Sequence, residues 1–188
     1  MNLLLDLSKN ATRTCIFDTA LASMTCADRR AANETRKGTF LEKKHCKNLF
    51  EVFSAIEASP LDSNVKNDAK AVYRILAEAE STVHGQTVEE THFHEVGNAE
   101  ALANALAICQ AINLIGPDEV HATPVQIGSG SIICAHGKID IPAPATRAIL
   151  DQGNIPIASY RLQGELCTPT SAALILHFVK AFDLDETD

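Results

Sequence analysis

The chain predicts an α/β domain, a single unit in which a mixed sheet is flanked by helices. Three observations carry that expectation. Short apolar runs of strand length stand near both ends, first at Leu3–Leu7 and again from Glu119 onward. Between them, Val65, Ala69, Val72, Leu76, Ala79 and Val83 recur in steps of four and three, which lays one stripe along a helix. The run Ala99–Ile115 is too long for an ordinary strand, is broken by Glu100, Asn104, Gln110 and Asn113, and is too short for a bilayer span. With 188 residues, 46% hydrophobic and 21% charged, the chain has the size and composition of one globular domain with a substantial core.

In order, Leu3–Leu7 reads as a short buried strand and Asn10–Met24 as a helix with Ile16 and Ala20 near one side. Cys26–Gly38 is polar, charged and weakly periodic, and reads as a mobile loop with room for a helical turn. The apolar spacing of Phe40–Ala58 fits a helix that ends before Pro60. The helix over Asp62–His84 starts at an Asp or Ser cap and closes at Gly85. Gly116-Pro117 stops the next helix, Ala99–Ile115. Glu119–Gly128 then reads as a strand, with Pro124 suggesting an edge or bulge. Gly128-Ser129-Gly130 is a turn, Ser131–Ala135 a strand, His136-Gly137 a turn and Lys138–Ile141 a strand, a succession of hairpin type. Pro142-Ala143-Pro144 opens a short helix to Leu150, Ile155–Leu162 is a strand, and Thr168–Phe182 is a helix with Thr168 as cap and Pro169 at its first position. Residues 183–188 form an acidic tail.

The net charge of −8 is uneven: residues 1–85 hold 12 basic and 11 acidic side chains, residues 86–188 hold 4 and 13. An acidic chain argues against nucleic acid as a partner. The cations that do cluster, from Arg29 to Lys47, read either as a solvated face or as contacts for a phosphorylated small ligand. Six cysteines without a C-x-x-C pair, and a start that lacks the pattern of a signal peptide, lead to the expectation of reduced thiols, a cytoplasmic location and no membrane association.

Thr91–Gly97, T-H-F-H-E-V-G, is the most suggestive stretch for chemistry. In an extended backbone His92 and His94 share a face, Phe93 turns to the core, and Gly97 leads into the apolar helix. Candidate metal ligands are His92, His94, Glu95, Glu100, His121, Cys134 and His136, a set of imidazoles and a thiol that suits nickel or zinc, though at no spacing of a zinc finger. Ordinary strand-end hydrogen bonds remain the alternative. At Thr168-Pro169-Thr170-Ser171, unpaired helix N–H groups and three hydroxyls could dock a phosphate or carboxylate, or simply cap the helix. Gly128 and Gly130 allow close approach of a ligand to the backbone.

Six runs occur in one order: Leu76-Ala77-Glu78-Ala79-Glu80 with Val83-His84-Gly85; His92–Gly97; Gly128-Ser129-Gly130; Ala135-His136-Gly137; Pro142–Thr146; and Gly164-Glu165-Leu166 with Thr168-Pro169-Thr170. Together, from about Phe40 to Phe182, they resemble the LarC family of nickel-insertion proteins. The resemblance implies the N-terminal part of a nickel chelatase of lyase type, which inserts nickel into a pyridinium bisthiocarboxylate mononucleotide in nickel-pincer cofactor biosynthesis, forming carbon–nickel and sulfur–nickel bonds. It implies Ni2+ at His92, His94, Glu95, Glu100 and His136, and a phosphorylated ligand at Gly128, Gly130, Glu165, Thr168, Thr170 and Ser171. CTP, with Mg2+ or Mn2+, is expected only through the family's C-terminal domain, supplied by a separate chain. A homo-oligomer is also compatible. The chain departs from the family in residues 1–39, where Asn10, Arg13 and Thr14 stand in place of two glycines and an aspartate. Asn104 stands for an acidic residue and Ser171 for a glycine. The alternative is a non-catalytic relative that keeps a metal- or nucleotide-binding module. A stand-alone metal hydrolase fits the histidines but has no identifiable nucleophile system.

Overall fold

A computed structural model describes residues 1–42, 45–93, 96–134 and 137–183. The chain is an α/β protein. Its strand β1 (Leu3–Leu5) is followed by α1 (Arg13–Ala22), α2 (Cys26–Lys37), α3 (Leu49–Ala58), α4 (Ser63–His84) and α5 (Ala99–Ile115). Then come β2 (Val120–Ala122), β3 (Gly128–Ser129), β4 (Ser131–Cys134), β5 (Gly137–Asp140), α6 (Pro144–Gln152), β6 (Gly164–Glu165), α7 (Pro169–Phe178) and β7 (Val179–Phe182). Among the described residues, the strands form a parallel sheet ordered β1-β2-β7 and two antiparallel pairs, β3–β6 and β4–β5. Parallel and antiparallel pairings are both present, in separate small sheets.

α5 is the centre of the core. From Ala101 to Ile112 every residue but Asn104 is buried, so the helix is apolar all round. Its alanines at 101, 103, 105, 107 and 111 keep its surface thin, and α1, α2, α4 and α7 all pack on it. α4 meets this core with the stripe the sequence predicts, Val65, Ala69, Val72, Leu76 and Ala79 all being buried. Asn98 caps the start of α5 by accepting the Ala101 N–H at 2.7 Å, and Gly116 closes its end in the left-handed conformation.

Several expected elements differ. Residues 26–37 are a three-turn helix, not a loop. α2 buries only Ala32 and Thr35, so its period is written by where charged residues are absent rather than by an apolar stripe, and further signals lie at its ends. Thr25 accepts the Asp28 N–H and donates to the Asp28 carboxylate, Arg36 and Lys37 occupy the last turn, and Gly38 caps in αL. α3 begins only at Leu49, because the preceding backbone pairs elsewhere: Phe93 N–H donates to Lys47 C=O and Cys46 N–H to Gly97 C=O, both at 2.8 Å. Thr91–Phe93 has no strand partner in a sheet, although Phe93 is buried as expected. Ile155–Leu162 is not a strand; its one ladder-type pairing is a parallel bridge, Ile157 to Val125. The last helix stops at Phe178 and the chain turns straight into β7, parallel to β2. β2 is thereby the central strand, and Pro124 lies beyond its end.

Candidate functional site

A cleft of about 620 Å3 opens where several helix ends meet. Arg13, the first residue of α1, lines one part of it, with Asn98 and Ala101 from the start of α5. The start of α6 adds Ala143, Pro144 and Ala145, and the start of α7 adds Thr168, Pro169 and Thr170. Four helix N-termini, with their unpaired N–H groups and positive dipole ends, therefore border one cavity. The opposite end of α4 brings Glu80, Val83 and His84. Ile132 and Ile139, a cross-strand pair of the β4–β5 hairpin, form an apolar wall.

The α7 border is built by its capping chemistry. The Thr168 side chain accepts the Ser171 N–H at 3.3 Å, and the two hydroxyls lie 3.0 Å apart. Ser171 is fully buried and stands behind the cleft wall rather than on it. Thr170 is only 2% exposed, lines the cleft, and its hydroxyl has no hydrogen-bond partner among the described residues. Behind them, burial and the neighbouring Glu165 charge push the Cys167 thiol up to about 12. Glu165 itself lines the cleft, half-buried, and is set there by β6 pairing with β3. Gly128 makes that pairing feasible: a Cβ on it would stand 1.8 Å from the Gly164 carbonyl oxygen, and its φ is +83°. Gly128 and Gly130 thus lie outside the cleft lining, and Gly128 acts through the placement of Glu165.

Val96 is also part of the lining. Tyr73, fully buried on α4, donates its O–H to the Val96 carbonyl at 2.9 Å. Burial raises the Tyr73 phenol above its ordinary range, and the Arg13 guanidinium acts in the opposite direction. A backbone bond from Ala11 N–H to Leu166 C=O, 3.0 Å, ties the entry of α1 to the entry of α7.

Of the expected metal ligands, His94, Glu95 and His136 lie outside the described residues, as does the Cys134 side chain. His92 and Glu100 are exposed and do not line the cleft. His121 is elsewhere, 2.9 Å from the Glu119 carboxylate on the parallel sheet. Among the described residues, no three His, Cys, Asp or Glu side chains converge as a metal site. Asn104 accepts from Arg36 Nε at 3.1 Å and joins α5 to α2, away from the cleft lining. Sequence reasoning missed Arg13, Glu80, His84 and Asn98 as lining residues. Glu80 and His84, four apart on α4 and 3.4 Å from each other, carry the one available signal, since both sit in a run that contributes to the resemblance.

The family model described as nickel insertion protein matches residues 7–187. A putative nickel insertion protein of Methanosarcina mazei is 42% identical over 143 residues, covering 76% of this chain and 36% of the relative. A pyridinium-3,5-bisthiocarboxylic acid mononucleotide nickel insertion protein of Staphylococcus saprophyticus is 40% identical over 136 residues, covering 72% and 34%. A putative nickel insertion protein of Thermomicrobium roseum is 37% identical over 130 residues, covering 69% and 32%. The chain spans about a third of the length of these curated relatives. No solved structure matches.

Proposed function

This chain belongs to the nickel insertion protein family, and we propose that it is the part that holds a pyridinium bisthiocarboxylate mononucleotide while nickel is inserted. The observation that carries the reading is the cleft, where an unpartnered Thr170 hydroxyl and the start of α7 meet a wall of apolar side chains. A mononucleotide has the matching parts: a phosphate for N–H and hydroxyl donors, and a flat ring for Ile132, Ile139 and Val96. Thr168 positions the donors, and Glu165 borders the same space.

Nickel is cargo in this reading. Its ligands are His92, His94, Glu95 and His136, with Glu100 nearby in sequence; imidazole and carboxylate together suit a borderline divalent ion. The chain position of these residues supports the assignment. Val96 lines the cleft immediately after His94-Glu95, and the stems that carry His136 supply Ile132 and Ile139. CTP and its metal ion belong to the remainder of the longer relatives or to a separate chain. A second reading, binding without insertion, is favoured by the departures from the family pattern at Asn10, Arg13, Thr14 and Asn104.

The test is calorimetric titration of the bisthiocarboxylate mononucleotide into wild type and Thr170→Val, which keeps the shape and removes the hydroxyl. The variant is expected to bind more weakly by about 1 kcal/mol or somewhat more, the scale of one hydrogen bond to a charged group. Equal affinity would remove Thr170 from the site, and no binding by wild type would remove the reading.

A further inference from the structure

Arg13 has no stabilising role that accounts for its place. It occupies the first position of α1, where a cation opposes the helix dipole, and no acid stands in that first turn. Among the described residues it makes no hydrogen bond or ion pair, although its side chain is half-buried. It is also the one Lys or Arg among the described residues that line the cleft. The starts of α6 and α7 likewise carry no acid in the first turn, nor does that of α4, whereas α2, α3 and α5 carry Asp28, Glu51 and Glu100. The helix starts of α1, α6 and α7 thus add no acid of their own to a lining whose carboxylates are Glu80 and Glu165, and the nearly buried Thr170 borders the same space with no hydrogen-bond partner for its hydroxyl among the described residues.

Resting on the mononucleotide reading above, we propose that Arg13 is the charge-selective anchor of the cleft, its guanidinium pairing with an oxyanion of the bound small molecule beside Thr170. Two groups share that chemistry, a phosphate and a ring carboxylate. A guanidinium suits either, because its planar fork can donate two parallel hydrogen bonds to two oxygens of one group. The tie between Ala11 and Leu166 holds the guanidinium-bearing start of α1 against the start of α7, so donors from both elements serve one region.

The experiment titrates wild type, Arg13→Gln and Arg13→Lys at low salt with four probes. They are inorganic phosphate, nicotinic acid mononucleotide, nicotinamide mononucleotide and nicotinic acid riboside. Arg13→Gln is expected to weaken binding at least tenfold for probes that carry the recognised group, with Arg13→Lys between it and wild type. Loss for both mononucleotides but not the riboside identifies phosphate. Loss for the acid mononucleotide and the riboside, but not the amide, identifies a carboxylate. Wild type that binds phosphate through Arg13 but none of the pyridine compounds keeps the anchor and removes the mononucleotide reading. Equal affinities of wild type and Arg13→Gln, or no binding of any probe by wild type, overturn the proposal. Thermal unfolding supplies the independent readout. Arg13→Gln is expected to keep or raise Tm because it relieves the dipole, and a fall in Tm shared by both variants would make Arg13 a structural residue and overturn the proposal.

Discussion

Individual residues on the cleft wall divide into those that face the cavity and those that hold the wall in place. Thr168, Thr170 and Arg13 line it; Ser171 and Gly128 set its shape. Cys167 belongs to the second group, and its chemistry offers a check on the packing. Its thiol is fully buried and is raised to about 12 from an ordinary 9, first by burial and then by Glu165. An unfolded chain ionises this thiol near 9 while the folded chain keeps it protonated, so the folded state binds more protons between these values. The stability that Cys167 contributes is complete below pH 9 and is lost as pH rises from 9 towards 12. At pH 8 a thiol-alkylating reagent is expected to modify exposed Cys26 quickly and Cys167 only after unfolding, read by peptide mass mapping. Rapid labelling of Cys167 in the native protein would contradict the packing behind α7.

At the scale of elements, the caps decide more than the propensities. α2 has too few buried residues to show an apolar stripe, and its bounds are set by the reciprocal Thr25–Asp28 cap and by Gly38. It is also pinned from the side: Arg36 lies with its guanidinium carbon 4.9 Å from the centre of the Phe17 ring and donates to Asn104. Thr25→Ala is expected to lower stability by about 1 kcal/mol in urea unfolding, the usual effect of losing a side-chain cap, without altering ligand affinity in the distant cleft. An unchanged midpoint would show that tertiary contacts alone hold α2. The segment before α3 shows the opposite conflict. Phe40–Leu49 has helical spacing, but its backbone donors and acceptors at Cys46 and Lys47 pair with Gly97 and Phe93. Gly97 permits that approach, since a Cβ there would stand 1.9 Å from the Cys46 carbonyl oxygen.

For the molecule as a whole, the arrangement is a buried helix, α5, wrapped by other helices, with a small parallel sheet on the first, middle and last parts of the chain. No described helix is long and apolar enough to cross a membrane. Because the cleft is formed by the starts of four helices far apart in sequence, ligand binding and global folding are coupled. We propose that these 188 residues on their own bind the precursor without inserting nickel. Binding tolerates a partial set of groups, whereas reaction needs all of them placed together. Incubation with precursor, nickel and CTP is expected to yield nickel cofactor only when the remaining region of a relative is supplied. Cofactor from the 188 residues alone would refute this, and intact binding with no product in either mixture would favour the non-catalytic relative.

What the sequence determined by itself is local or repeated along the chain. The α4 stripe, the α5 run, the Thr168–Pro169 start and the β4–β5 hairpin are each specified by residues within one turn or two of one another, and the family is specified by six runs in order. What only the tertiary structure decided is which ends meet. In the sheet order β1-β2-β7, Leu3 pairs with Val120 more than a hundred positions away, and Val179–Phe182 becomes a strand only because Val120–Ala122 is there to pair with it. Arg13 likewise gains its meaning only where α1 enters beside α7. Periodicity records which face of a segment is buried, but not against what, and a site made of four helix starts exists only once packing has chosen their neighbours.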